Sequence, residues 1–252
     1  MNSPAVMQRW IQGTVAAQRR WTERLFSLKV DADIGFEAGQ FAKLALDVGG
    51  ERIARPYSFV NPPGERPHEF YYVTLPDGPL TQRLCRLQAG DAIYLAPRPA
   101  GFLALSEVPD GENLWLISTG TGIGPFLSIL RTEAPWQRFR QVVLVHAVRR
   151  AEELTHRDII GGLIGGHGAQ MRAVSFVSRE AAEGALPGRV PAAIEDGRLE
   201  AVTGVALSAE KSQVMICGNP EMVKDTSAAL ARRGMKKHRR RDPGQITVEN
   251  YW

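Results

Sequence analysis

Only two cysteines, Cys85 and Cys217, occur in the 252 residues of the chain. That scarcity excludes a disulfide framework and a four-cysteine zinc or iron–sulfur site, so any redox chemistry has to draw on another kind of cofactor. Long apolar runs are missing too. None approaches the ~18 residues that span a bilayer, and the start, Met1 to Trp10, lacks the apolar core of a secretory signal. These absences point to a cytoplasmic protein with no membrane contact. No repeat of solenoid period, low-complexity linker or recognisable RNA-binding motif interrupts the chain. An acidic excess is absent as well: 31 Lys and Arg against 27 Asp and Glu leave a net charge of +4, which suits acidic partners without naming them.

What is present is ordinary globular material, 44% apolar and 23% charged, enough for a sizeable core; at ~150 residues per domain the length predicts two domains. Short runs rich in Val, Leu, Phe and Tyr at residues 24–30, 40–46, 69–74 and 92–95 are separated by Gly, Pro and Asp. They predict an antiparallel β-barrel over residues 1–107. After residue 108 the texture changes to near-continuous apolar strands at 113–118, 141–146, 171–177 and 213–217, with helices at 125–132 and 220–232. Strands buried on both faces read this way, so residues 108–252 are expected to form an α/β parallel-sheet domain. The seam between two such domains is a natural ligand site.

Five segments carry candidate chemistry. Thr119-Gly-Thr-Gly-Ile-Gly-Pro125 follows a strand and opens a helix, where glycines let the backbone approach a pyrophosphate. No acidic residue ends the next strand to hold a ribose hydroxyl; Arg149 and Arg150 follow instead, and guanidinium groups suit a 2′-phosphate, favouring NADP over NAD. The alternative is a plain strand-to-helix turn with solvated arginines. Arg55-Pro56-Tyr57-Ser58, at the barrel edge, supplies a cation, a bend, an aromatic plane and a hydroxyl, as a flavin requires, or else a packed Tyr beside a surface charge. In Tyr71-Tyr72-Val73-Thr74 and the turn through Pro79, Leu80 and Thr81, Thr81 is expected to be a helix N-cap facing an anion, or a cap and nothing more. Cys217-Gly218-Asn219 ends a parallel strand on the ligand-binding edge; with no neighbouring His or Lys to ionise it, Cys217 reads as a polarisable packing group beside a ring or as a buried structural thiol. Finally, the basic run 236–241 precedes Tyr251 and Trp252, two terminal aromatics suited to stacking on a planar ligand or to filling a groove.

The order of these segments along the chain resembles the ferredoxin–NADP reductase family, and within it the bacterial ferredoxin/flavodoxin–NADP reductases that end in Tyr-Trp. The likeness spans essentially the whole chain. It implies a FAD-binding barrel, an NADP-binding α/β domain and a tail that returns to the flavin. Matched residue by residue, it implies that Arg55 faces the flavin diphosphate, Tyr57 stacks on the isoalloxazine and Ser58 lies near N5 to assist hydride transfer. Pro56, Tyr71, Tyr72, Val73, Thr74, Pro79, Leu80, Thr81 and Thr121 would complete the FAD site, with Tyr251 and Trp252 stacking on flavin and adenine. Thr119, Gly120, Gly122, Val148, Arg149, Ser178, Arg179, Arg189, Gly218 and Asn219 would hold NADP, and Cys217 would stand near the incoming nicotinamide. The resemblance implies a monomeric, cytoplasmic enzyme that exchanges hydride with NADP(H) and single electrons with ferredoxin or flavodoxin, with no metal in the chain and no nucleic acid bound. On that reading the basic run steers an acidic electron carrier. A flavin reductase or the reductase component of an oxygenase would use the same two domains, and a nucleotide- or RNA-binding module is the alternative of a different class.

Overall fold

The computed structural model describes residues 10–250. Twelve strands in these residues form two six-stranded sheets. The first is antiparallel and is built from β1 (Ile11–Arg20), β2 (Leu25–Asp31), β3 (Phe41–Val48), β4 (Glu51–Ser58), β5 (His68–Val73) and β6 (Ala92–Leu95), with the one-turn helix α1 (Thr81–Leu84) between β5 and β6. Its order is β4-β3-β6-β1-β2-β5, so β4 and β5 are the two edges that must meet for the sheet to curl into a barrel. No continuous ladder joins them. A single bridge, Phe59 to Phe70, does so, with the Val60 amide donating to the Glu69 carbonyl at 2.9 Å. Pro56 is tolerated inside β4 because that strand lies at an edge, where a missing N–H breaks no second ladder.

Side-chain alternation fills the barrel. Leu28, Leu44, Phe59, Phe70, Ile93 and Leu95 are fully buried in one cluster. β5 is the exception to inside-apolar, outside-wet: Phe70 and Tyr72 point into the barrel cluster, while Tyr71 and Val73 join the cluster beneath the second sheet. This is why residues 69–74 read as a continuous apolar run. β1 is nearly silent in the sequence for the opposite reason. Its burial is confined largely to Gly13 and Val15, and its Gln- and Arg-rich remainder carries no alternating signal.

The second sheet is wholly parallel, in the order β10-β9-β8-β7-β11-β12. Along the chain it runs β7 (Asn113–Thr119), α2 (Gly124–Leu130), α3 (Ala134–Arg138), β8 (Gln141–Val148), α4 (Arg157–His167), β9 (Met171–Val177), β10 (Ala185–Pro187), α5 (Val190–Glu195), α6 (Arg198–Thr203), β11 (Ser212–Gly218), α7 (Pro220–Arg232) and β12 (Ile246–Asn250). β7, β8 and β11 are buried almost end to end, as strands covered on both faces must be. The short β10 and β12 and the helices α3 to α6 are additions to the sequence expectation: α3, α5 and α6 are too short for a clear period, and α4 carries four glycines in eleven residues, poor helix formers.

The two sheets share one core. Leu25, Val60 and Tyr71 from the first half pack in a single cluster with Ile123, Phe126 and Leu127 from the second. Ser128 donates to the Asn61 carbonyl at 2.8 Å, and the Arg138 guanidinium holds the connecting segment through the carbonyls of Leu105 and Val108 at 2.6 and 2.7 Å. Phe126 is fully buried in this cluster. Its replacement, Phe126→Ala, should therefore lower stability by about 3–5 kcal/mol, the usual cost of a large core truncation, measured as a lower urea midpoint.

Candidate active site

A cleft of about 1030 Å³ opens where the C-terminal ends of β7, β8 and β11 face β4, β5 and the 75–81 turn. Parallel sheets bind ligands at this edge because their strand-to-helix loops and amide ends converge there. Its size reaches the upper end of the ~300–1,000 Å³ range of small-molecule pockets.

The floor is two loops in contact. After β7 the chain makes a 3-10 turn over Gly120–Ile123 and enters α2. A Cβ on Gly122 would sit 2.5 Å from the Cys217 carbonyl oxygen, and one on Gly218, whose φ is +141°, would collide with Thr119 Oγ1. Glycine is thus required at both positions by backbone packing. The Asn219 amide donates to Thr119 Oγ1 at 3.1 Å, and Asn219 Oδ1 accepts from the amides of Glu221 and Met222, capping α7. Beneath Gly120, His146 is buried and its Nε2 lies 3.2 Å from the Gly120 carbonyl. Burial pushes His146 down to about 4 against the opposing effect of that carbonyl, so at neutral pH it is a neutral ring donating Nε2–H to the loop.

One end of the cleft is cationic. Arg149, Arg179 and Arg189 line it with Val148 and Ser178, and among the described residues none of the three guanidiniums has a carboxylate partner. Arg150 is held aside: its Nη1 lies 3.4 Å from Glu180 Oε2, while Glu180 Oε1 accepts the Ala151 amide at 2.7 Å. Glu153 accepts the backbone amides of Arg149 and Arg150 at 2.8 and 3.0 Å, leaving the Arg149 side chain on the cleft.

The facing wall is aromatic. Arg55, Pro56, Tyr57, Ser58, Tyr71, Tyr72 and Val73 all line it. Tyr57 meets Tyr72 edge to face at 5.9 Å, and Tyr72 Oη donates to Gln18 Oε1 at 2.9 Å. Burial raises all three phenols, Tyr57, Tyr71 and Tyr72, above their ordinary value, which keeps them neutral planes. Pro79, Leu80 and Thr81 line the same wall, but Thr81 is not the N-cap the sequence suggests. Leu80 occupies that position without a side-chain bond, and Thr81 Oγ1 instead accepts the Leu75 amide at 3.1 Å, closing the 75–81 turn. The hydroxyl finds a nearer donor in the turn than in its own helix, which is a single turn long.

Thr119, Gly120, Thr121, Gly218 and Asn219 reach the cleft; Cys217, Gly122 and Thr74 do not line it. Cys217 is wholly buried in the shared core, and Thr74 contributes through its carbonyl, which accepts from the Arg24 guanidinium at 3.2 Å. Tyr251 and Trp252 lie outside the described residues. Among the lining groups that escaped sequence reasoning are Arg24 and Glu249. Arg24 lies fifty positions from the carbonyl it holds, so no local pattern announces it. Glu249 arrives on β12; its Oε1 is buried without a hydrogen-bond partner among the described residues, and burial pushes the carboxyl up to about 7, opposed by the Phe102 amide. The basic run folds into a turn in which Lys236 pairs with Asp242 and Arg240 with Glu107, the latter also over the Phe102 ring at 4.9 Å.

Comparison with known proteins places this geometry in context. Residues 116–228 match the family model described as the oxidoreductase NAD-binding domain. The chain is 48% identical to a flavodoxin/ferredoxin–NADP reductase of Shigella flexneri and 47% identical to that of Escherichia coli K12, each over 98% of this chain and all of the relative. Among solved structures, a ferredoxin–NADP+ reductase of Neisseria gonorrhoeae with bound FAD and NADP superposes with a TM-score of 0.92 at 35% identity, covering 96% of this chain and 99% of that one. A glycine-floored cleft with a cationic end and an aromatic wall, in a chain matched along nearly its whole length, identifies this protein as a member of the flavodoxin/ferredoxin–NADP reductase family.

Proposed function

We propose that the chain is a FAD-dependent oxidoreductase that exchanges hydride with NADP(H) and single electrons with ferredoxin or flavodoxin. The observation that carries this reading is the single cleft in which the aromatic wall of β4 and β5 faces three arginines that have no carboxylate partner among the described residues, across a floor of bare backbone. The residues present fit both dinucleotides. Among the described residues nothing lies within 4 Å of where a Cβ on Gly120 would stand, so the floor offers open backbone to a planar or phosphate group, and the buried Oε1 of Glu249 has no hydrogen-bond partner among them.

In this reading residues up to about 107 hold FAD and those after it hold NADP. Arg55 offsets the charge of the flavin diphosphate, with the 79–81 turn alongside; Tyr57 supplies a stacking plane, and Ser58 a hydroxyl for the reacting edge of the ring. Tyr71, Tyr72 and Val73 line the flavin wall, and Thr121 meets it from the glycine loop. Thr119, Gly120, Gly218 and Asn219 hold the nicotinamide end, with Cys217 and Gly122 shaping that floor from below. Arg149, Arg179, Arg189 and Ser178 clamp the 2′-phosphate. When bound, FAD supplies the conversion of two-electron hydride chemistry into one-electron transfers. The protein's part is to orient both groups and exclude water, while Glu249 holds or releases a proton at its carboxyl within reach of physiological pH. Lys237, Arg239 and Arg241 make no ion pair among the described residues and support a steering role toward an acidic carrier. The chain has only two cysteines, in keeping with a reducing cytoplasm, and one copy contains every group the scheme uses, so the proposal is of a monomer.

Two outcomes test this. The purified protein should show flavin absorption that bleaches far faster with NADPH than with NADH, and Arg149→Ala should raise KM for NADPH about tenfold to a hundredfold, the worth of a charged hydrogen bond, with little change for NADH. A colourless protein, or equal bleaching by both nucleotides, would count against the flavin or the clamp respectively. The second outcome concerns Glu249. Its folded value, about 7, lies above the ordinary 4.5, so the folded state binds the proton more tightly. Stability is fully present below the unfolded value and is lost as pH rises through the folded one. Glu249→Gln should therefore match the parent Tm near about pH 4 and exceed it increasingly up to about pH 8.

A further inference from the structure

Across the shared core runs a chain of buried polar groups of which the scheme above uses only Tyr71. Glu69 and Tyr71 project from the same face of β5, two residues apart, and two consecutive residues of the second half grip them. His156 Nε2 lies 3.1 Å from Glu69 Oε1; His156 Nδ1 lies 2.9 Å from Thr155 Oγ1; and Thr155 Oγ1 lies 2.9 Å from Tyr71 Oη. The Tyr71 ring meets the His156 ring edge-on at 4.8 Å, and Trp21 packs against it at 4.7 Å. Beyond Glu69 the chain continues through Ser27 to the indole N–H of Trp21. Thr155, His156, Glu69 and Tyr71 are all buried.

Three features mark this as more than filler. His156 is the one non-glycine residue among those described with a positive φ, 56°, a conformation that persists only where the surroundings over-determine it. Both of its ring nitrogens are engaged. Apart from Ser128 on the Asn61 carbonyl and the Arg131–Glu65 pair, the shared core is apolar, and apolar contact is non-directional, so it resists separation better than sliding. Hydrogen bonds at fixed lengths to residues 69 and 71 instead specify the register of β5 against the second half, since a one-residue slip would turn both groups away. The Thr155 hydroxyl has a single proton and stands between two partners, so it donates to one and accepts from the other. The direction of the Tyr71 hydroxyl is thereby tied to the ring of His156.

We propose that Thr155, His156 and Glu69 form a strut across the seam that positions Tyr71, and with it the aromatic wall, relative to the nicotinamide-binding loops. Thr155 and His156 are positioning residues, and the inference rests on the reductase reading. The test compares Thr155→Val with Thr155→Ser in the flavin-loaded enzyme. Thr155→Val should slow flavin reduction by NADPH about tenfold, as a small misplacement of reacting groups does, with KM for NADPH and FAD content little changed; Thr155→Ser, which keeps the hydroxyl, should restore the rate. Independently of turnover, the urea stabilities of Thr155→Val, Tyr71→Phe and the double variant should be non-additive, because both single changes break the same bond. Parental reduction rates in Thr155→Val, additive stabilities, or a loss of FAD and affinity that Thr155→Ser fails to rescue would overturn the strut. Should the parent itself carry flavin that NADPH does not reduce, the reductase reading falls and the strut's role falls with it.

Discussion

The contact of Gly122 with the Cys217 carbonyl is the constraint from which the rest of the site follows. Two strand-to-helix loops from neighbouring parallel strands are brought so close that neither can carry a side chain at the point of approach, and each is then pinned by a different bond. The Asn219 amide on Thr119 fixes one, and neutral His146 under Gly120 fixes the other. Because these bonds lie within the protein, with His146 buried and Thr119 and Asn219 half-buried, the loops owe their shape to the sheet beneath them and not to whatever fills the cleft. That is the structural meaning of preorganisation: the cost of ordering the floor falls on folding, and little of it is left for binding.

Charge placement shows the same economy. Cations near the cleft divide into those neutralised by the protein and those left for a ligand. Arg150 answers Glu180, Arg240 answers Glu107 and Lys236 answers Asp242, all at partly exposed positions where such pairs contribute little to stability. Arg149, one residue from Arg150, has no such partner. Glu153 holds the backbone amides of both residues, while their side chains part: the Arg150 guanidinium goes to Glu180 and the Arg149 side chain lines the cleft.

Much of this was legible in the residues. The glycine loop, the Arg-x-Tyr-Ser segment and the texture change near residue 108 each carry a local physical cause, and the two-sheet architecture follows from strand length and burial pattern alone. What was not legible depends on distance along the chain. Arg24 reaches the cleft through a carbonyl fifty residues away, Glu249 through a five-residue strand beside β11, and His156 through two residues of β5. Thr81 illustrates a different failure: the residue type was right for a cap, but a turn amide competed for the same oxygen and won.

β5 carries a consequence for how such a chain can diverge. From His68 to Tyr72 every residue is buried, because one face of the strand belongs to the barrel and the other to the core shared with the second sheet. A strand with one wet face offers alternate positions at which substitutions drift freely; this one offers none over five consecutive residues. Change here has to be matched in two cores at once, so the strand is expected to evolve in concert with its neighbours or scarcely at all, while the Gln- and Arg-rich outer face of β1 on the same sheet is free to vary.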